Sequence, residues 1–415
     1  MHTQNSHQKL SEKSPTDIVN AYFGAFGTAN VKEALALIDE NVIWHIDGRT
    51  EVSTVGLLYG REQVSAWLKN FPLHFEPKTF VVDKMIEQGD EVVAFGRFRH
   101  LIKSTGNIIG SDLVIRFQIR NEKIIRYQIF EDSGLLARAF NESQEQWENQ
   151  EIRINGTIYS YSDIGDGPVI VFAHGLFVDR SIFEAQVNEL KKTNRCIVLD
   201  MPGHGKSGFN KQGWTLENIA DDIQLIIEEL SWGEKITFVG QSQGAMVGML
   251  LAAKAPELIS NLVLIGTSAR AEYCERIEKW QSFRQVLLQG TKEQREKAFI
   301  DLQNRINAPQ WLHDNPTETE KERKIMLSHN KEGLTLALDA AVLQRKDIRD
   351  RLPEITAKTL VICGDCDQAT PVELHQEIAS IIPNAELVIL EGVAHHPPIE
   401  APQQVLSVIS KCIMV

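Results

Sequence analysis

The sequence predicts two domains of different class. The first is α+β, a sheet curled around helices; the second is α/β, a doubly wound, mostly parallel sheet with a helical insertion. Three observations predict this. The chain has 415 residues, more than one hydrophobic core usually organises. Residues 12–140 pass from helical periodicity into a meander of strand-like runs, whereas residues 151–415 alternate short apolar runs with helical stretches. Between them "NESQEQWENQ", residues 141–150, is polar and has no β-branched residue, which suits a linker.

In the first domain "SPTDIVNAYFGAFGTAN" opens with Ser14 as N-cap, Pro15 at the first helical position and Asp17 in the first turn. Ile18, Ala21, Tyr22 and Ala25 then recur at helical spacing. "VKEALALIDE" reads as a second helix, "NVIWHID" as a strand and "GREQVSAWLKNF" as a third helix. Four strand-like runs follow: "TFVVDKMIEQ", "EVVAFGRFRHLI", "SDLVIRFQIR" and "KIIRYQIFED". The turn signals "GD", "STGN" and "NE" separate them.

The second domain begins with a hairpin, "EIRINGTIYSYSDIG". "PVIVFAHG", "CIVLDMPG", "ITFVGQSQG", "LVLIGTSA", "TLVICGD" and "ELVILEG" are short and continuously apolar, as strands covered on both faces must be. One interval breaks the alternation. Residues from about 271 to 350 hold several amphipathic helical stretches and no strand, which predicts a helical cap inserted between two sheet strands.

Composition narrows the functional classes. A hydrophobic content of 43% and a charged content of 24% are those of a globular protein. The net charge of −13 and the lack of a basic stripe argue against a nucleic-acid partner. The polar N-terminus lacks a signal-peptide core and no apolar run is long enough to span a bilayer, so no membrane partner and a cytoplasmic location are expected. The 5 cysteines are scattered and odd in number, unlike a disulfide framework. Cys363 and Cys366 have C-x-x-C spacing, but without a second pair or a helix directly after them they read as small residues at a strand end. No metal site is expected.

Ligands of open α/β sheets sit beyond the carboxyl ends of the strands. In "GQSQG" a strand, a serine flanked by Gly240 and Gly244, and a helix-forming stretch follow one another, as a sharp nucleophile turn requires. A serine hydroxyl needs a base. His395, in the loop after the last strand, is the candidate, with its neighbour His396 as competitor. The base needs a carboxylate, and "GDCDQATP" offers Asp367, preferred over Asp365 because it lies deeper in the loop. The order Ser242, Asp367, His395 is that of nucleophile, acid and base in one class of hydrolases. Oxyanion donors are expected from the amide of Gln243 and from the turn after "FAHG", with Leu176 the first choice and Phe177 the second. His174, Asp200 and His204 read as turn-shaping residues.

Residues from about 150 to 415 resemble a capped α/β-hydrolase-fold enzyme of the esterase or lactonase-like kind. The resemblance lies in "HGLF", "DMPGHGKS", "GQSQGAMVGMLLAAKAPELISNLVLIGTSA", "GDCDQATP" and "EGVAHHPPIEAPQQV". The two ends are most similar to 3-oxoadipate enol-lactonases. The resemblance implies an eight-stranded sheet, a helical cap over the site and no cofactor. Gln243 departs from relatives that carry Met or another apolar residue there. Relatives that open epoxides or remove halides use an aspartate nucleophile, so Ser242 argues against both reactions. Phe177, Trp280, Phe283, Leu287 and Trp311 are candidate pocket residues, each equally readable as cap packing.

Residues 12–140 resemble the SnoaL-like branch of the NTF2-like fold, a cone of curved sheet, on "NVIWHIDGRTEVSTVGLLYGREQVSAWL" and "EKIIRYQIFEDSGLLARAF". His45, Asp47, His100, Asp112 and Tyr127 are its candidate cavity residues, each also readable as an ordinary strand residue. The expected function is a serine hydrolase acting on a small carboxylic ester or lactone. The alternatives are carbon–carbon bond hydrolysis or cofactor-free perhydrolysis on the same triad, a ligand receptor on a hydrolase scaffold, and an isomerase or cyclase in the first domain. A homodimer through the first domain is a candidate association.

Overall fold

Ser14 opens the first helix with a reciprocal capping box. Its Oγ accepts the Asp17 amide and the Asp17 carboxylate accepts the Ser14 amide, both at 3.1 Å, just ahead of Pro15. A computed structural model describes residues 13–413 apart from 50, 51, 53, 142–147 and 232. The chain divides into two units, 1–146 and 147–415. Most of the expected linker, residues 142–147, lies outside the described residues.

The first unit runs α1 (Pro15–Gly27), α2 (Val31–Ala36), β1 (Ile38–Ile46), β2 (Gly56–Tyr59), α3 (Gly60–His74), β3 (Phe75–Gln88), β4 (Glu91–Ile102), β5 (Ile108–Arg120), β6 (Lys123–Glu131) and α4 (Ser133–Asn141). Its 6-stranded sheet has the order β2-β1-β6-β5-β4-β3. The meander β3 to β6 is antiparallel, and β1 closes on β6 in parallel. The concave face is filled by aromatic rings: Trp44 stacks on Tyr127 at 3.8 Å, and Tyr22 meets both Trp44 and Phe117 edge-on. Three elements differ from expectation. Residues 38–40, read as the end of the second helix, belong to β1, because buried Ile38 pairs with Ile124 of β6. Strand β2 and helix α4 lie outside the expected elements.

The second unit starts with the hairpin β7 (Gln150–Ile154) and β8 (Thr157–Ile164). There follow β9 (Val169–Ala173), α5 (Glu184–Leu190), β10 (Arg195–Leu199), α6 (Leu216–Ser231), β11 (Ile236–Gln241), α7 (Gln243–Lys254) and β12 (Ile259–Ile265). Then come α8 (Cys274–Gln289), α9 (Lys292–Ile306), α10 (Pro309–Asp314), α11 (Pro316–Ser328) and α12 (Lys331–Leu338). The chain returns to the sheet with β13 (Lys358–Gly364), α13 (Val372–Ile381) and β14 (Ala385–Leu390), and ends with α14 (Pro397–Glu400) and α15 (Pro402–Ile413).

The 8-stranded sheet has the order β14-β13-β12-β11-β9-β10-β8-β7. From β14 to β10 every pairing is parallel; β8 joins β10, and β7 joins β8, antiparallel. Every residue of β9, β10 and β11 is buried, which accounts for their uninterrupted apolar sequence. Strand order reverses at β9, which lies between β10 and β11, so a crevice opens beyond the carboxyl ends of β9 and β11. The residues after those two strands meet there. Among the described residues no helix is long and apolar enough to cross a membrane.

Candidate active site

Ser242 sits between β11 and α7 with φ +50° and ψ −111°, a conformation that a residue with a Cβ rarely adopts. Such strain costs about 1–3 kcal/mol and persists only where the surroundings enforce it. Here the Ser242 amide donates to Ile265 O at 2.8 Å, and its carbonyl accepts from Met246 N and Thr267 Oγ1, each at 3.0 Å. The two glycines are sterically required. A Cβ on Gly240 would come within 2.5 Å of Ala245 N, and one on Gly244 would run into the carbonyl oxygen of Ala173.

The loop after β14 brings His395 to this turn, with its Nε2 3.0 Å from Ser242 Oγ. The other ring nitrogen, Nδ1, lies 2.8 Å from Asp367 Oδ2 in the loop after β13. This places a proton on Nδ1 and leaves Nε2 to accept from the serine. Asp367 also accepts the amides of Ala369 at 2.8 Å and Thr370 at 2.9 Å, and the Thr370 hydroxyl at 2.7 Å. Burial alone would raise its pKa; His395 and the Thr370 bonds outweigh burial and hold it at about 2. Asp365 is exposed and turned to the Gly392 amide, so the structure brings Asp367 and not Asp365 to the imidazole. Gln241 donates its side-chain amide to His395 O at 2.9 Å, tying the loop of His395 to β11. His396 turns to Glu322 on α11 instead of Ser242.

Gln243 is the first residue of α7, so its amide is one of those with no intrahelical acceptor. Its side chain is fully buried, and neither Nε2 nor Oε1 has a hydrogen-bond partner among the described residues. Gly175 allows the loop after β9 to lie against Ser242: a Cβ there would approach Ser242 Cβ to 3.0 Å. Of the two expected donors in that loop, the Phe177 amide is already given to His204 Nε2 at 3.1 Å. Leu176 is the one whose amide has no acceptor among the described residues.

The turn-shaping residues form a connected set. His174 donates to Gly175 O at 2.7 Å and accepts from Met201 N at 2.9 Å. His204 donates to Pro202 O at 3.0 Å. Asp200 accepts the amides of Arg180 at 3.1 Å and Lys206 at 2.9 Å. His329, from the turn between α11 and α12, accepts from Gly205 N at 3.2 Å and donates to Phe177 O at 3.0 Å. Burial pushes all three imidazoles down, and the neighbouring rings push His204 further.

Phe177 enters an aromatic cluster with the cap, 5.5 Å from Phe283 and 5.8 Å from Phe299, and Trp280 meets Phe283 edge-on. Leu287 is buried on α8. Trp311 is not brought there; it lies on α10, which buries no residue. Cys363 is buried, Cys366 exposed and both are free; burial pushes the Cys363 thiol up to about 12. No cluster of metal-ligating side chains occurs among the described residues.

In the first unit, His45 pairs with Asp47 at 2.9 Å on the half-exposed side of β1, and Asp112 faces Arg97 across the outer face. Burial among Phe71, Phe75 and Phe98 pushes His100 down to about 4, and Tyr127 is stacked on Trp44. These five residues do not form one site.

Thr370, Gln241, His329 and Glu322 were not singled out in the sequence. Gln241, inside "GQSQG", and Thr370, inside "GDCDQATP", stand in quoted motifs; His329 and Glu322 stand in none.

Residues 168–402 match the model of the alpha/beta hydrolase fold, and residues 19–127 match that of the SnoaL-like domain. The chain is 26% identical over 258 residues to 3-oxoadipate enol-lactonase 2 of Acinetobacter baylyi, covering 61% of this chain and 90% of that protein. It is 26% identical over 245 residues to the pimeloyl-[acyl-carrier protein] methyl ester esterase of Vibrio vulnificus, covering 58% and 91%. Among solved structures, a thermophilic esterase from Thermogutta terrifontis matches with 29% identity and a TM-score of 0.58, covering 64% of this chain and 97% of that one. The enol-lactonase from Burkholderia xenovorans LB400 matches with 25% identity and a TM-score of 0.59, covering 64% and 100%. With more than half its length matched and the elbow, sheet order and cap in place, the chain belongs to the alpha/beta hydrolase fold family, and a SnoaL-like domain precedes its hydrolase unit.

Proposed function

We propose that the chain is a serine hydrolase that cleaves a small carboxylic ester or lactone through an acyl-enzyme. The observation that carries this reading is the unbroken hydrogen-bond line from Ser242 Oγ through His395 to Asp367, at 3.0 and 2.8 Å. In the proposed reaction Ser242 Oγ attacks the carbonyl carbon while His395 Nε2 takes its proton. The charge on the carbonyl oxygen is met by the amides of Gln243 and Leu176, fixed donors in a water-poor site. The tetrahedral adduct collapses, His395 protonates the departing alkoxide, and the acyl group stays on Ser242. Water, deprotonated by His395, then attacks the acyl carbon and releases the acid. Asp367 stays ionised throughout, orienting the ring and stabilising the imidazolium.

The relatives support the substrate class, since those named are an enol-lactonase and esterases. A panel of p-nitrophenyl esters and lactones, assayed with wild type and Ser242→Ala, tests the reading. Turnover on part of the panel is expected, with a loss of about 10³-fold or more in the variant. Equal turnover by the two proteins on every active substrate would remove the serine from the mechanism.

A further inference from the structure

His396 has no part in the line from Ser242 to Asp367, yet it is one of the most elaborately held side chains of the second unit. Its Nδ1 lies 2.7 Å from Glu322 Oε1 on α11, with both side chains buried, 2% and 5% exposed. The other oxygen of Glu322 accepts Gln303 Nε2 at 2.6 Å and Asn307 Nδ2 at 2.8 Å, from α9 and the residue after it. Glu400 of α14 closes the opposite side. Its Oε1 accepts the His396 amide at 2.9 Å, while Oε2 accepts the amides of Ala394 at 3.0 Å and Ala308 at 2.9 Å. The amide of His395 itself donates to Ile306 O, at the end of α9, at 2.8 Å. Cap helices α9 and α11, at residues 395 and 396, and Glu400, at 394 and 396, therefore hold the three residues whose middle member faces Ser242.

We infer that Glu322 is a positioning residue for the base: paired with His396, it pins the 394–396 loop to the cap, so that His395 stays in reach of Ser242 only while the cap is seated. This rests on the reading of His395 as the base. An apolar contact would hold the cap against the body as well, without requiring two charges to be stripped of water. A buried ion pair held by further hydrogen bonds from Gln303 and Asn307 selects one geometry instead. Burial alone would push Glu322 up and His396 down; in each the facing charge outweighs burial, holding Glu322 below the usual carboxylate range and His396 above the ordinary imidazole value. The charged groups around His396 are Glu322 from α11, Glu400 from α14, Asp367 from the β13 loop and the adjacent His395. Because the folded value of His396 is raised, its pairing is complete below the ordinary imidazole pKa and is lost as pH rises through the raised value.

The test measures kcat and KM across pH for the full chain as wild type, Glu322→Gln, Asn307→Ala and Ser242→Ala, with the best ester of the panel, and a thermal midpoint for each. Glu322→Gln is expected to lower kcat by about 10- to 100-fold with KM within about twofold, well below its own unfolding temperature. It should also flatten the alkaline decline of kcat expected of wild type, since the pairing that titrates there is already gone. Asn307→Ala, which leaves the ion pair but removes one of its supports, should fall between the two. If Glu322→Gln does not fold, Asn307→Ala carries the test. A folded Glu322→Gln or Asn307→Ala with wild-type kcat and wild-type pH profile, or one altered only in thermal midpoint, overturns the positioning role. Failure of the underlying reading has a separate signature: Ser242→Ala would then turn over as fast as wild type.

Discussion

Ser242 holds an unfavourable backbone geometry because three neighbours, Ile265, Met246 and Thr267, hold its amide and carbonyl. That geometry presents a half-buried Oγ at the end of the sheet, 3.0 Å from the His395 ring. At this scale two substitutions are informative. Asp367→Asn leaves the site's shape but favours the wrong imidazole tautomer, and we expect kcat to fall roughly 10³- to 10⁴-fold. The same variant reports on pH. The folded pKa of Asp367 is lowered from 3.8 to about 2, so its contribution is present above pH 3.8 and lost as pH falls through about 2. That contribution is worth about 2 kcal/mol, and urea midpoints of wild type and Asp367→Asn should converge between those two pH values. Gln243→Met tests a different property of the nucleophile turn. It removes a buried amide group with no partner among the described residues while keeping the backbone N–H, so a gain of about 1 kcal/mol with turnover within a few-fold of wild type is expected by denaturant titration.

Elements were legible in proportion to how evenly their surroundings act on them. The strands β9, β10 and β11 are buried on every residue, and a run of apolar side chains is the direct imprint of that environment. The three residues of the proposed triad were legible for a related reason: each follows the carboxyl end of a short apolar strand of the parallel sheet, so sheet topology carries them to one rim. What the sequence hid depends on partners far along the chain. Ile38 has helix-forming neighbours, and only Ile124 opposite makes it a strand residue. Glu322 lies 74 residues from His396 on a helix whose charged residues mostly face water, and nothing in its spacing separates it from them. The junction of β9 and α7 is the most sensitive contact between elements. Gly244→Ala drives a methyl group into Ala173 O, so the helix or the strand must shift, and we expect a loss of about 2 kcal/mol or more in stability together with most of the activity. Differential scanning calorimetry beside the ester assay checks both.

On the scale of the whole molecule, each unit has a hydrophobic core of its own. Expression of residues 1–145 and 146–415 as separate chains is therefore expected to give a hydrolase only in the second. In the first unit, Phe95, Val114 and Phe130 pair in register across β4, β5 and β6 on the face away from the core, with Phe95 38% and Phe130 45% exposed. If the chain forms the homodimer suggested for this domain, that row is the expected seam, and Phe95→Glu with Phe130→Glu should give a monomer in sedimentation; an unchanged mass excludes this face.

The order in which the chain is made adds one consequence. A growing polypeptide that has reached α7 already contains Ser242 on its turn, but His395 follows 153 residues later. On the proposed mechanism a nascent chain that ends before residue 395 has no base for Ser242 and is expected to be inert toward esters. His395, the proposed base, comes just after β14, the edge strand, which pairs in the sheet with β13. Truncation after residue 384, ahead of β14, is thus expected to abolish ester cleavage on the proposed mechanism.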